Sequence, residues 1–222
     1  MENNHSFKAV ILDFDGTIGD TRSLIVRTMR QTLAEVGLPQ KSDDECAAMI
    51  GLPLKQTFTE LMPMDDATGD LCEATYRRIF AENNKPGAVP MFPGVGATIR
   101  RMHAAGLLVT IASSRLRHSL TAFVDEMGLA EHIPYILSAG DVERAKPAPD
   151  MVLKTLCDNN LRPEEAVVVG DTVFDIRMAH AAGVKAVGVT YGNGRREDLE
   201  AERAEWIIDG FRELEGIVSF RS

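Results

Sequence analysis

The sequence has few of the residues that mark disulfide-rich, metal-binding or membrane-spanning proteins. Only three of its 222 residues are cysteines, and no two of them form a CxxC pair. An odd number of scattered cysteines is typical of packing thiols in a reducing cytosol. No apolar run approaches the roughly 20 residues that cross a bilayer, and the first residues, MENNHSFK, do not resemble a signal peptide. We therefore expect a cytoplasmic protein without a membrane partner.

Positive charge is also scarce. The 24 lysines and arginines are outnumbered by 33 aspartates and glutamates, which gives a formal net charge of -9. A surface with this balance repels polyanions, so we expect no nucleic-acid partner. The five histidines form no cluster with metal-ligand spacing. Hydrophobic residues at 45% and charged residues at 26% are ordinary values for a globular protein.

Short β-branched segments alternate with helical patterns along most of the chain. This alternation predicts an α/β fold built on a parallel sheet. Each predicted strand ends at a small or polar residue. The predicted strands are KAVILD (Lys8 to Asp13), LLVTIAS (Leu107 to Ser113), YILSA (Tyr135 to Ala139), AVVVGD (Ala166 to Asp171), AVGVT (Ala186 to Thr190) and, more weakly, WIID (Trp206 to Asp209).

About ninety residues separate the first strand from the second, far more than a crossover connection needs. The interval shows helical patterns and no strand pattern, which predicts an inserted all-helical domain over residues 19–84. The sheet domain then comprises residues 1–18 and 85–222. Asp20 is expected to cap the first inserted helix. The predicted helices of the insert carry Ile25, Met29, Leu33 and Val36 in the first, and cover residues 43–50, 54–61 and 70–82 in the others.

Polar residues follow the predicted strands where each one ends. In parallel α/β sheets ligands bind outside the carboxyl ends of the strands, so we expect these side chains to converge. A divalent cation can neutralise the repulsion between closely spaced carboxylates. Ligand sets made only of oxygen atoms favour Mg²⁺, and protein-bound Mg²⁺ commonly binds a phosphate oxygen of the substrate. A lysine and a serine hydroxyl would hold that phosphate. The candidates are Asp13, Asp15, Ser113, Ser114, Lys146, Asp171 and Asp175.

The stretch DFDGT places two aspartates one residue apart, and their roles can be separated by protonation state. A nucleophile must be ionised, whereas a general acid must carry its proton. Asp13 would attack phosphorus and form an aspartyl-phosphate. Asp15, turned away from the metal and close to other carboxylates, would protonate the leaving group and later take a proton from water.

Four motifs, DFDGTIGDT, TIASS, KPAPD and VVGDTVFDIRMAHAAG, resemble in order the signatures of the haloacid dehalogenase superfamily. The sequence is most similar to the phosphoglycolate phosphatase-like branch, which implies a Rossmann-like sheet domain with a small helical cap after the first motif. The resemblance implies catalytic roles for Asp13, Asp15, Ser113 and Lys146. It also implies metal ligation by Asp13, Asp171, Asp175 and the main-chain carbonyl of Asp15, and phosphate contacts from backbone groups near Ser114 and Gly16.

Departures from neighbouring subfamilies favour hydrolysis by water. Dehalogenases lack the second aspartate, and β-phosphoglucomutases have a histidine and an arginine where this chain has Ile25 and Leu54. Lys55 either meets a carboxylate or second phosphate of the substrate, or is a solvated surface lysine. YGNGR (Tyr191 to Arg195) is interpreted as a turn.

The expected substrate is a small phosphorylated metabolite, with phosphoglycolate first. A pyrophosphatase and a sugar or nucleotide phosphatase remain alternatives, as does a phospho-accepting signalling protein without turnover. The sequence leaves open whether the protein is a monomer or a homodimer.

Overall fold

The structure is a computed structural model that describes residues 7–218. Six short segments form one parallel sheet, as the sequence predicts. They are β1 (Ala9–Leu12), β2 (Leu108–Ala112), β3 (Tyr135–Leu137), β4 (Ala166–Gly170), β5 (Lys185–Val189) and β6 (Trp206–Ile208). The strand order is β3-β2-β1-β4-β5-β6. The predicted α/β class is confirmed, although each strand ends one or two residues earlier than the sequence predicts.

The central strands are apolar on both sides because both faces of the sheet are covered. In β1, Val10 and Leu12 enter one core cluster, while Ala9 and Ile11 enter the cluster on the opposite face. Every residue of β4 is buried as well. Strands buried on both faces read as continuous apolar runs, which is why these two were clear in the sequence.

Four helices follow β1 before the chain returns to the sheet domain. We call the segment that contains them, residues 22–83, the helical insert. Met29, Leu33, Phe58 and Cys72 are fully buried in a cluster of its own. The predicted domain boundaries stay a prediction. The insert comprises α1 (Arg22–Val36), α2 (Asp43–Ala47), α3 (Leu54–Leu61) and α4 (Asp66–Asn83).

Two details of the insert differ from prediction. The helix α4 begins four residues earlier than expected, because the Asp65 carboxylate accepts a hydrogen bond from the Thr68 N–H at 2.8 Å and caps it. The prediction that Asp20 caps α1 is wrong. The residue at the capping position of α1 is Thr21, and its side chain makes no capping hydrogen bond. The exposed Asp20 instead uses its N–H to reach the Pro90 carbonyl at 2.8 Å.

The remaining helices connect the strands of the sheet or follow the last of them. They are α5 (Val95–Ala104), α6 (Arg117–Glu126), α7 (Asp150–Asp158), α8 (Val173–Ala181), α9 (Arg196–Ala201) and α10 (Leu214–Val218). Single 3₁₀ turns cover Ala130–His132, Ala139–Asp141, Pro163–Glu165 and Phe211–Glu213. Within residues 7–218, none of the helices combines the length and apolar character needed to span a bilayer.

The strand order reverses at β1. The chain first adds β2 and β3 on one side of β1 and then returns to place β4 on its other side, with Leu12 opposite both Ile111 and Val169. At such a switch point the connections leave in opposite directions and open a crevice beyond the carboxyl ends of the strands. The candidate site lies in this crevice.

Candidate active site

Three buried polar residues directly follow β1, β2 and β4. Asp13, Ser113 and Asp171 are each exposed by 4% or less. The Asp13 N–H donates to the Val169 carbonyl at 2.9 Å, and the Ser113 N–H donates to the Leu137 carbonyl at 3.0 Å. The sheet hydrogen bonds therefore continue one residue past β1 and β2 and fix the backbone from which these side chains project.

Lys146 enters the site from the loop after β3. Its side chain is fully buried, and its ammonium donates to Asp13 and, at 2.6 Å, to Asp175 Oδ1. Burial alone favours the neutral amine, but the negative charges of Asp13 and Asp175 outweigh it, and the pKa of Lys146 is raised above its usual value. The lysine is therefore held as a cation beside Asp13.

Three carboxylates cluster at this point, and two of them, Asp13 and Asp175, contact the Lys146 ammonium. Asp13, Asp171 and Asp175 each bring an oxygen to within 4.8 Å of the others. Burial, together with the neighbouring carboxylates, raises the pKa of Asp13 to about 7 and raises that of Asp171 well above its usual value. Three carboxylates less one ammonium leave two uncompensated negative charges when all are ionised. A cluster of hard oxygen donors with this deficit fits Mg²⁺.

Asp175 has a second contact that keeps it in place. Its Oδ2 accepts from the Thr172 N–H at 3.0 Å and the Thr172 hydroxyl at 2.8 Å, which forms a capping box at the start of α8. Its Oδ1 accepts from Lys146. Asp175 thus fixes the lysine as well as joining the acidic cluster.

The turn after β1 brings the backbone of Gly16 against Asp171. Gly16 has a φ of +88°, and a Cβ at this position would lie 2.0 Å from Asp171 Oδ2. Only glycine combines this conformation with this close approach. The Gly16 N–H donates to the Gly19 carbonyl at 2.9 Å, so it stabilises the turn.

Asn193 is a site residue that the sequence interpretation missed. Its segment YGNGR lies after β5, as a turn should, but it also wraps around Asp171. The Asn193 N–H and side-chain amide donate to Asp171 Oδ2 at 2.6 and 3.0 Å, and Asn193 Oδ1 is buried without a hydrogen-bond partner. The two glycines that flank Asn193 were the feature of the sequence that could have indicated a close backbone contact. The backbone of Gly194 lies so close to Asp171 that a Cβ on Gly194 would be 2.0 Å from the Asp171 carbonyl oxygen.

Arg115 is the second residue that sequence reasoning missed. Its Nε donates to Asp15 Oδ1 at 2.8 Å, and both side chains are only about one-tenth exposed, at 10% and 12%. Its guanidinium lies 5.0 Å from the ring centroids of both Phe80 and Phe123. The Asp15 side chain therefore has a cation in contact with it, which the sequence interpretation did not include, as well as the nearby carboxylate of Asp13, whose pKa it raises. An arginine immediately after the paired serines of a strand end was the available signal.

The helical insert closes the crevice from above. The Ser114 hydroxyl donates to the Gly51 carbonyl at 2.7 Å and so connects the end of β2 to the insert. Asp13, Asp15 and Ser113 line a cavity of about 680 Å³ that extends between the strand ends and the insert. Lys55 also lines it, with its ammonium paired to Asp66 at 2.6 Å and Asp70 at 2.7 Å. Its predicted contact with the substrate stays a prediction.

Residues 10–189 match the family model of the haloacid dehalogenase-like hydrolases. The chain belongs to this family. It is 32% identical over 210 residues to "Probable phosphatase IndB" of Dickeya dadantii, covering 93% of this chain and 91% of that protein. The prediction of an enzyme, a phosphatase of this family, is confirmed at this level.

Two further relatives indicate the range of the family. Pyrophosphatase PpaX of Anoxybacillus flavithermus is 28% identical over 98% of this chain and 99% of its own length. Phosphoglycolate phosphatase of Pseudomonas putida is 24% identical over 93% of this chain and 78% of its own length. The crystal structure of a predicted phosphoglycolate phosphatase from Haemophilus somnus superposes with a TM-score of 0.83 at 23% identity, covering 96% of this chain and 99% of that one, which shows the common fold.

Proposed function

We propose that the protein is a Mg²⁺-dependent phosphomonoester hydrolase that acts through an aspartyl-phosphate on Asp13. The observation that carries this proposal is the buried cluster of Asp13, Asp171 and Asp175 at the carboxyl edge of the sheet, with Lys146 in contact with Asp13 and Asp175. The cluster offers a nucleophile, a phosphate-binding cation and oxygen ligands within one crevice. Membership in a hydrolase family supports the same chemistry.

Asp13, Asp171 and the main-chain carbonyl of Asp15 would hold the metal, with Asp175 as a further direct or water-mediated ligand. Bound Mg²⁺ would supply positive charge to the phosphoryl oxygens. Asn193 holds Asp171 by two hydrogen bonds, so it would orient that ligand.

The chemical steps are assigned to residues of the chain. The Asp13 carboxylate attacks phosphorus while the bond from phosphorus to the ester oxygen breaks, and Asp15 gives that oxygen its proton. Asp15 then takes a proton from water, which attacks the aspartyl-phosphate and releases inorganic phosphate and free Asp13. The Ser113 hydroxyl and Lys146 would hold phosphoryl oxygens throughout.

The sequence ranks phosphoglycolate first among substrates, and pyrophosphatase activity remains an alternative because a relative carries that name. Both compounds would place a second anionic group in the cavity. A sugar or nucleotide phosphate is a further alternative. A phospho-accepting signalling protein would use the same acids but stop after one phosphorylation of Asp13.

Turnover of p-nitrophenyl phosphate tests the proposal. We expect many turnovers with Mg²⁺, loss of activity with EDTA, and loss of at least about a thousandfold in Asp13→Asn, because the amide is no nucleophile. Asp20→Asn is the matched control, since Asp20 is an exposed aspartate seven residues away, and it should retain activity. A single stoichiometric release of p-nitrophenol would instead favour the signalling protein, and full activity of Asp13→Asn would contradict the assignment of the nucleophile.

A further inference from the structure

The cavity above Asp13 is large for a substrate as small as phosphoglycolate. Its volume of about 680 Å³ falls in the range of roughly 300–1,000 Å³ found for sites that enclose drug-sized ligands. A two-carbon leaving group would leave most of this space to water. The size alone therefore points to a leaving group with a larger body.

The part of the cavity that faces the insert is lined mainly by apolar side chains. Ile25 of α1, Leu54 of α3 and the rings of Tyr76 and Phe80 on α4 contribute to this lining. The two rings stack with their centroids 5.7 Å apart and an interplanar angle of 22°. An apolar or aromatic group placed here would lose its contact with water and gain contacts with these side chains.

The lysines and arginines among the described residues lining this cavity already have carboxylate partners. Lys55 pairs with Asp66 and Asp70. Arg77 pairs with Glu73, the neighbouring acid one turn earlier on α4, and Arg115 pairs with Asp15. The remaining basic side chain of the lining, His118, is exposed at the rim.

A second anionic group on the substrate would therefore meet cations whose charge is already balanced. It would have to break an existing ion pair or lie unpaired beside apolar walls, and either arrangement costs free energy. An uncharged leaving group avoids this cost. Size, apolar walls and paired cations thus favour the same kind of substrate.

We propose that the substrate is a phosphomonoester of an uncharged alcohol with a bulky apolar or aromatic body, which lies against Ile25, Leu54 and Phe80. This inference rests on the proposed phosphomonoesterase activity and specifies its leaving group. It disfavours both phosphoglycolate and pyrophosphate. Hydrolysis proceeds as above, with the alcohol oxygen leaving phosphorus and taking its proton from Asp15.

The test compares ethyl phosphate, 2-phenylethyl phosphate, 2-phosphoglycolate and pyrophosphate with the wild-type protein and Mg²⁺. Ethyl and 2-phenylethyl phosphate share an alkyl leaving oxygen and differ in apolar bulk. We expect kcat/KM for 2-phenylethyl phosphate to exceed that of each of the other three by more than about tenfold, since hydrophobic pockets discriminate by this order for small apolar groups. A smaller advantage, or a lead for phosphoglycolate or pyrophosphate, would overturn the inference.

Matched leucine variants locate the effect. Leu54→Gln should lower the ratio of kcat/KM for 2-phenylethyl phosphate to that for ethyl phosphate at least about threefold, because the amide is poorly matched to the aromatic body. Leu71→Gln is the control, since Leu71 is 53% exposed on α4 and lies outside the cavity, and its ratio should equal the wild type's. If this ratio of kcat/KM values were the same in Leu54→Gln and in the wild type, the proposed contact between Leu54 and the body of the substrate would be contradicted.

Failure of the inference about the leaving group can be distinguished from failure of the proposed function. If the protein hydrolyses phosphoglycolate best and Asp13→Asn is inactive, the phosphatase proposal stands and only the inference about the leaving group is lost. If none of the four compounds nor p-nitrophenyl phosphate is turned over with Mg²⁺, the proposed function itself is wrong.

Discussion

Arg115 connects the candidate general acid to both parts of the molecule. Its guanidinium holds the Asp15 carboxylate and lies between Phe80 of the insert and Phe123 of the sheet domain. Cation–π contacts with two rings restrict where the guanidinium can lie. The position of Asp15 therefore depends on one arginine, which in turn depends on how the insert packs against the sheet.

Replacing Arg115 should impair proton transfer more than bond formation at phosphorus. In Arg115→Met we expect kcat/KM for ethyl phosphate to fall at least about tenfold, as general acid catalysis contributes 10²–10⁴-fold. The kcat/KM for p-nitrophenyl phosphate should fall much less, because p-nitrophenolate leaves without a proton and because kcat/KM does not include the later hydrolysis of the aspartyl-phosphate, which both esters share. Steady-state kinetics with both esters measures this difference.

Arg117→Met is the control for the loss of an arginine in the same segment. Arg117 is about half exposed and pairs with Asp141, away from Asp15. It should retain both activities. Equal losses on the two esters in Arg115→Met would show that Arg115 does not act through Asp15.

The sequence predicts best those site residues whose role follows from their position directly after a strand. Asp13, Ser113 and Asp171 each directly follow a strand, and a strand end is visible from local apolar patterning. Arg115 and Asn193 were missed because their significance comes from partners 100 and 22 residues away. A single sequence does not show which of its many polar side chains become buried in the fold.

At the scale of elements, local patterns predicted the type of each segment better than its ends. The limits predicted for α3 agree with the structure, whereas α4 begins four residues before the predicted start because of its Asp65 cap. The segment predicted as the strand to Asp171 stops at Gly170, where the backbone turns toward the crevice. The last residue of a strand at the site is set by that turn, and apolar patterning locates it only to within one or two residues.

The turn at Gly16 is the element on which the site geometry depends most. Alanine at this position would meet both an unfavourable φ and a Cβ 2.0 Å from Asp171 Oδ2. Because Asp171 is buried and held by Asn193, it has little room to move. We expect Gly16→Ala to lower kcat at least about a hundredfold, since misplacing the reacting groups by about 1 Å can cost this much. Kinetics with p-nitrophenyl phosphate measures the loss.

Gly87→Ala separates conformational strain from the close approach. Gly87 has a φ of +77°, similar to that of Gly16, but a Cβ there would meet nothing within 4 Å. The Gly87→Ala variant should lower the free energy of unfolding by about 1 kcal/mol, as expected for alanine in the left-handed conformation, and should leave kcat unchanged. If Gly16→Ala behaved in the same way in urea unfolding and kinetics, the contact with Asp171 would have no catalytic consequence.

At the scale of the whole molecule, the insert and the sheet bury largely separate apolar clusters, although Leu24 of α1 belongs to the sheet's cluster and Phe80 of α4 packs against both. Phe58 belongs to the insert's cluster, whereas Phe211 belongs to a cluster of the sheet. The sequence predicts a division into an insert and a sheet domain, since the insert lacks strand patterns, and this division stays a prediction. The sequence did not predict the bridges between the two parts, such as the bond from Ser114 to Gly51, because they join residues that are 63 positions apart.

Largely separate clusters imply that the insert can lose stability without the sheet. Phe58 is fully buried and contacts Tyr76 edge to face, so Phe58→Ala should destabilise the insert by roughly 3–5 kcal/mol. Hydrogen exchange should become faster in peptides from residues 22–83, while those covering β1 and β4 keep their protection. Phe211→Ala is the reciprocal control and should weaken protection of the sheet. Uniform acceleration in Phe58→Ala would mean that both parts unfold as one cooperative unit, and the predicted boundary at residues 19–84 would then have no thermodynamic meaning.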